Sequence, residues 1–262
     1  MTKDVQKYFD EESSSYERIR WRGNFVSRYD FKVTREALTS LMDKTEAFLD
    51  MGCGPGTWLE EYSKHYGMGV GVDLSKKMLQ ICKRKRLPNV SLILADCHRL
   101  PFRERVFDTI LSSRVFIYLN LETALNETKR VLKNNGNFIL LIQIERRSIY
   151  FKLREHLRKS EKFLENANYL TAHDLIMRVS KHFQVCQTKG VIFHEHISQN
   201  ALTLCPTAFL LNYLYLKLLY VLEKYFSTSF LKYFYASSIA IKLRKASSNT
   251  QRAMAGLTPL VS

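Results

Sequence analysis

The stretch FLDMGCGPGTWLEEY, residues 48–62, decides the fold. A short apolar run ends in Asp50, glycines stand at positions 52, 54 and 56, and a helix-like segment starts at Thr57. Glycines at this spacing allow a tight strand-to-helix turn, and they also let the backbone approach a bound nucleotide closely. The position of the loop bears on the choice. Ligands of open parallel sheets sit beyond the carboxyl ends of the strands, and this loop leaves the first strand of a series.

Outward from that loop, apolar runs alternate with segments of helical period. Strands are predicted at 47–51, 68–73, 90–95, 107–112 and 137–144, with helices near 57–66, 75–86 and 121–133. This is the pattern of a βαβ sheet, largely parallel, with helices on both faces. Ser75 is a good N-cap, Asn134-Asn135-Gly136 a sensible helix stop, and Thr171 a plausible cap farther on. The run QVCQTKGVIFHEH from Gln184 looks like a strand-pair element, and YASSIAIKLRK, residues 235–245, looks like one more strand.

The glycines do not complete a dinucleotide fingerprint. Counted from Gly52, the sixth position is Thr57, and the third glycine comes one residue early. A Walker loop fails because no Gly-Lys-Ser/Thr follows. Asp73 closes the second strand 21 residues after Gly52, where a carboxylate can accept from both ribose hydroxyls of an adenosine moiety. LILADCHRLPF then ends the third strand in Asp96, an acceptor suited to the adenine amino group.

Taken together, FLDMGCGPG, GVDLSKKML, ADCHRLPF, FDTILSSRVFIYL and VLKNNGNFILL, spread over residues 45–145, resemble the class I S-adenosylmethionine-dependent methyltransferases. They are most similar to the small-molecule and lipid branch related to the ubiquinone and menaquinone methyltransferases. The resemblance implies a Rossmann-like α/β fold of seven strands, the last in the chain antiparallel to the rest, and S-adenosylmethionine as cofactor. It also implies site roles. Gly52 and Gly54 would cradle the methionine part, with the backbone near Cys53, and Asp50 would fix the loop or meet the amino group. Asp73 would hold the ribose, Leu74 would pack on the adenine, and Asp96 with the Cys97 amide would read its edge. Ser112 and Ser113 would face the methionine carboxylate and the sulfonium. Tyr16, with Arg20, resembles a segment that closes over the cofactor.

On this reading residues 1–45 form an N-terminal helical cap, 46–245 the methyltransferase core and 246–262 a flexible tail. An insertion at 197–235 precedes the last strand. Within it, TAFLLNYLYLKLLYVLEKYF, residues 207–226, wound at about 100° per residue, gathers Asn212, Tyr213, Lys217, Tyr220, Glu223 and Lys224 on one face and leucines on the other. A transmembrane span needs ~20 apolar residues. Lys217 near the middle would cost roughly 2.5 to 3.5 kcal/mol on insertion. A helix lying in a membrane interface fits the pattern, as does one capping the core or a dimer contact.

A chain of 262 residues with 46% hydrophobic content can bury a substantial core. Its net charge of +15 implies an anionic neighbour, whether a phospholipid surface, a phosphorylated substrate or nucleic acid. Lys83–Arg86 reads as a solvated helix end, and a second basic stretch runs from Arg146 to Lys162. Five cysteines without paired spacing favour a reducing compartment, and the polar N-terminus lacks the apolar core of a signal peptide. Cytoplasmic residence, with peripheral membrane contact, is the expectation.

The acceptor expected is a small, hydrophobic, lipid or isoprenoid-like molecule. A nucleic-acid methyltransferase is the alternative, although SSRV lacks the Asn/Asp-Pro-Pro-aromatic element of amino-group base methylation. A nucleotide-binding oxidoreductase or a non-catalytic binding module on the same fold completes the set. Where the quinone branch often carries paired histidines, this chain has Ile117 and Tyr118, so no histidine base comes from that site. Tyr118 could orient an acceptor, but a phenol is a poor base near neutral pH. His194 and His196 share a strand face without an evident third ligand, and no metal site is read from them.

Overall fold

The computed structural model describes residues 2–18, 25–144, 170–191 and 238–246. The insertion at 197–235, the tail beyond 246, Arg20 and the His194–His196 pair lie outside the described residues.

Seven strands form one sheet. β1 (Thr45–Met51), β2 (Tyr66–Asp73), β3 (Val90–Leu94), β4 (Phe107–Ser113) and β5 (Leu132–Gln143) run parallel, and β6 (Gln184–Val191) and β7 (Ser238–Arg244) complete the sheet in the order β3-β2-β1-β4-β5-β7-β6. β7 pairs antiparallel with β5 on one side and with β6 on the other, so it alone runs against the rest. The inner strands are almost continuously apolar because both sheet faces are covered, as parallel sheets require.

Two hydrophobic layers flank the sheet. One joins Leu49, Met51, Ile110 and Phe138 to Leu125 and Leu175, carried by α5 (Leu121–Val131) and α6 (Ala172–Val179). Phe48, Leu111 and Ile139 face the other layer, where Leu38 of α2 (Phe25–Thr39), Trp58 and Leu59 of α3 (Thr57–Glu61) and Leu79 of α4 (Lys76–Arg84) pack. The remaining helix, α1 (Thr2–Glu12), lies against α4 at the carboxyl ends of the strands.

The helix starts follow side-chain caps. Ser75 Oγ accepts from Met78 N at 3.1 Å, Asn120 Oδ1 from Thr123 N at 3.0 Å and Thr171 Oγ1 from Asp174 N at 3.1 Å. Two predicted ends move. α3 stops at Glu61 because the chain turns through a Tyr62–His65 bond, and Tyr66, already in β2, donates its hydroxyl to Leu59 O at 2.7 Å. α5 stops at Val131, where Lys245 Nζ takes up the carbonyls of Lys129 and Leu132, both at 2.6 Å. Asn135, with φ 61°, and Gly136 then form an irregularity inside β5 instead of a helix stop.

Candidate active site

β1 is flanked by β2 on one side and β4 on the other, and the loops leaving β1 and β4 diverge above it. This switch point is where the topology opens a crevice. A cleft of about 710 Å³, counted to its open mouth, lies there.

Its floor is the glycine loop. Gly52 N and Cys53 N both donate to Val72 O, at 2.8 and 2.9 Å, which turns the chain back over β2. Gly52 holds φ +79°, and a Cβ there would stand 2.3 Å from Val115 Cγ2, so only glycine lets β4's following segment close down. Gly54 holds φ +51°, yet a Cβ on it would meet nothing within 4 Å. The space beside Gly54 is open, as a cradle for a ligand requires.

Asp73 anchors this loop. Its Oδ2 accepts from Gly54 N at 2.7 Å and its Oδ1 from Ser75 N at 2.8 Å. Burial raises its pKa against those hydrogen bonds, which act in the opposite direction. A carboxylate offers about four acceptor sites, so two remain for a ligand. Beside it Leu74, Met78 and Cys97 line the cleft, and Asp96 accepts through Oδ1 from His98 N at 2.9 Å and from His98 Nδ1 at 2.7 Å.

The facing wall runs from Ser113 to Leu119. Ser113 Oγ is buried and has no hydrogen-bond partner among the described residues, a cost of about 1–3 kcal/mol unless a ligand or water meets it. Arg114 sits at φ 62° and donates through Nη2 to Thr34 Oγ1 of α2 at 3.4 Å. Val115, Tyr118 and Leu119 make the rest of this wall apolar.

α1 and the residues after it form the roof, through Val5, Phe9 and Tyr16. Phe9 packs edge-on against Tyr118, with ring centroids 5.4 Å apart, and against Tyr16 at 6.3 Å. Polar ties hold the roof at both ends. Asp10 accepts from Ser75 Oγ and Lys77 N at the start of α4, and Glu17 accepts from Lys85 Nζ and from Thr57 Oγ1.

Of the residues picked out by sequence, the structure brings Tyr16, Gly52, Gly54, Asp73, Leu74, Asp96, Cys97, Ser113 and Tyr118 to this one cleft. Asp50, Cys53 and Ser112 do not line it. Strand alternation turns Asp50 to the same layer as Phe48, where it is fully buried, neither oxygen has a partner, and burial followed by the nearby Asp73 pushes its pKa up to about 8. Cys53 packs its sulfur against Gly71, and burial raises its thiol pKa further. Ser112 donates to Met51 O at 3.1 Å, tying β4 to β1. Sequence reasoning missed Val5, Phe9, Met78, His98, Arg114, Val115 and Leu119. Met78, His98, Arg114, Val115 and Leu119 lie inside the motifs quoted above, and their place in those motifs was the signal available; Val5 and Phe9 offered none.

Open space beside a left-handed glycine, spare carboxylate acceptors at the end of β2 and an orphan hydroxyl across from them define a Rossmann-like enzyme that takes a nucleoside cofactor. Comparison carries this further. Residues 49–140 match the methyltransferase domain family. An uncharacterised protein of Methanocaldococcus jannaschii is 31% identical over 167 residues, 63% of this chain and 77% of that protein. The demethylmenaquinone methyltransferase of Staphylococcus saprophyticus is 32% identical over 148 residues, 52% of this chain and 61% of the enzyme. Among solved structures, the geranyl diphosphate C-methyltransferase of Streptomyces coelicolor, bound to Mg2+, geranyl diphosphate and S-adenosyl-L-homocysteine, superposes with a TM-score of 0.63 at 13% identity. That match covers 94% of this chain and 97% of the enzyme. The chain belongs to the class I methyltransferases and is an S-adenosylmethionine-dependent enzyme.

Proposed function

We propose that the chain methylates a small hydrophobic acceptor that enters between α1 and the Ser113–Leu119 wall. The observation that carries this reading is the lining of that side of the cleft: Val5, Phe9, Tyr16, Val115, Tyr118 and Leu119. Asp73 would accept from the ribose hydroxyls, Leu74 and Met78 would pack on the adenine, and Asp96 with the Cys97 amide would read its edge. The open side of Gly54 and the Ser113 hydroxyl take the methionine end. When bound, the cofactor would supply an electrophilic methyl on a sulfonium, which an acceptor would take by in-line attack as the C–S bond breaks and the neutral thioether leaves.

What the chain contributes is alignment and exclusion of water, the larger part of the barrier in such a displacement. Phe9, Tyr16 and Tyr118 close one side and fix an apolar acceptor by shape. Among the described side chains around the cleft, Asp73 and Asp96 hold amides and both nitrogens of His98 are engaged. An acceptor whose nucleophile needs no base from these residues, a thiol or an activated carbon, suits this lining best.

The names of two similar proteins, one acting on demethylmenaquinone and one on geranyl diphosphate, support a lipid or isoprenoid acceptor. We further propose residues 1–45 as the cap of the site and the 207–226 run as its contact with an anionic lipid surface. No helix among the described residues is long and apolar enough to cross a membrane. The test is transfer of radiolabelled methyl from S-adenosylmethionine to demethylmenaquinol, geranyl diphosphate, transfer RNA and duplex DNA. Label in an organic-extractable product supports the proposal, and label in nucleic acid alone overturns it. Flotation with anionic liposomes tests the surface contact separately.

A further inference from the structure

His98 stands between the two walls of the cleft and touches both. Its Nδ1 lies 2.7 Å from Asp96 Oδ1, on the wall assigned to the adenine. Its Nε2 lies 2.8 Å from the backbone nitrogen of Asn120, the residue that ends the opposite wall and caps α5. The ring is largely covered, with 22% of the side chain exposed.

The proton assignment follows from the partners. A backbone N–H can only donate, so Nε2 must accept and carries no proton. The single ring proton is then on Nδ1, where it donates to the Asp96 carboxylate. A proton on Nε2 would set Nε2–H against the Asn120 N–H. The structure requires one neutral tautomer.

The other amides of the facing wall bond locally. Arg114 N donates to Leu141 O of β5, Tyr118 N to Val115 O and Leu119 N to Phe116 O. The Asn120 bond, by contrast, crosses to the adenine side. Val115, Tyr118 and Leu119, the acceptor-facing residues, thus sit on a segment held to β4 and β5 at one end and to His98 at the other.

We propose that His98 is a positioning residue, a neutral Nδ1–H imidazole strut that sets the Asp96 carboxylate and the acceptor wall against each other. The assignment of Asp96 to the adenine rests on the proposed function; the strut itself rests on the geometry alone. Two substitutions divide its halves. In His98→Asn the amide nitrogen stands where Nδ1 was and keeps Asp96, losing Asn120. In His98→Gln the amide oxygen stands where Nε2 was and keeps Asn120, losing the side-chain bond to Asp96.

Three readouts test it: two-bond proton–nitrogen NMR correlations of the His98 ring, calorimetric titration with S-adenosylmethionine, and hydrogen exchange of the Asn120 amide. The ring is expected as the Nδ1–H tautomer. His98→Gln is expected to weaken cofactor binding about tenfold with Asn120 still protected, and His98→Asn to speed Asn120 exchange about tenfold with affinity retained, each the size of one charge-assisted or buried hydrogen bond. An Nε2–H or imidazolium ring, or a His98→Ala variant with both affinity and exchange at the wild-type level, overturns the proposal. Wild-type protein that fails to bind S-adenosylmethionine would sink the cofactor assignment, while the ring correlations and the exchange rates would still decide the strut.

Discussion

The floor and the roof of the cleft are built by different means. The floor is backbone: glycines in left-handed conformation, amides donating to Val72 O, and one carboxylate gathering two N–H groups within residues 50–75. The roof is side chains from distant segments, Asp10 reaching Ser75, Glu17 reaching Lys85, and Phe9 meeting Tyr118. Backbone constraints tolerate almost no substitution, whereas side-chain ties of this kind contribute about 1 kcal/mol each and can be exchanged. On the proposed function, the floor fixes the cofactor and the roof is free to set the acceptor.

Substitutions should separate the two regions. The largest effect is expected from Gly52→Ala, which combines left-handed strain with a clash on Val115, for a loss of about 3 kcal/mol in stability together with cofactor binding. Thermal melting and calorimetry check it. Gly54→Ala sharpens the contrast, because its methyl enters open space: about 1 kcal/mol of stability is lost, but affinity for S-adenosylmethionine falls about a hundredfold. Near-wild-type binding by that variant would place the cofactor elsewhere.

Asp50 tests the layer beneath the floor. Its native pKa of about 8 lies above the ordinary 3.8, so across that interval the folded protein keeps a proton that the unfolded chain releases. The unfolded state then binds fewer protons, and stability falls as pH rises from about 4 to about 8. In Asp50→Asn this part of the slope should vanish, as denaturant titrations at pH 5, 6 and 7.5 (values of about these) would reveal. The smallest effect belongs to the roof. Asp10→Ala removes its hold on Ser75 and Lys77 and should cost about 1 kcal/mol, about fivefold in cofactor affinity, with the melting temperature little changed.

The same division explains what could be read from the sequence. The five parallel strands and the Ser75 and Thr171 caps were legible because each depends on a local pattern of apolar residues or one hydroxyl. Asp73 and the glycines were legible because their spacing is dictated by the turn they make. Phe9 and Arg114 were not, since nothing near them in the chain signals the partner that gives them a role. Asp50 was expected to fix the loop or to meet the cofactor's amino group, and period-two alternation buries its side chain on the face of Phe48. The helix expected through residue 133 ended earlier because its stop comes from Lys245, more than a hundred positions away.

β7 has a consequence for biogenesis. It is the last of the described strands, yet it sits between β5 and β6 and pairs with both. Until residues 238–244 leave the ribosome, the nascent sheet ends at β5, an apolar strand with one side unsatisfied, and β6 has no strand to join. Five strands and the glycine floor can assemble during synthesis, but closure waits for β7, and an exposed strand edge of this kind invites pairing with other nascent chains. The rate of translation between Gln143 and Ser238 thus becomes part of how reliably this enzyme reaches its native state.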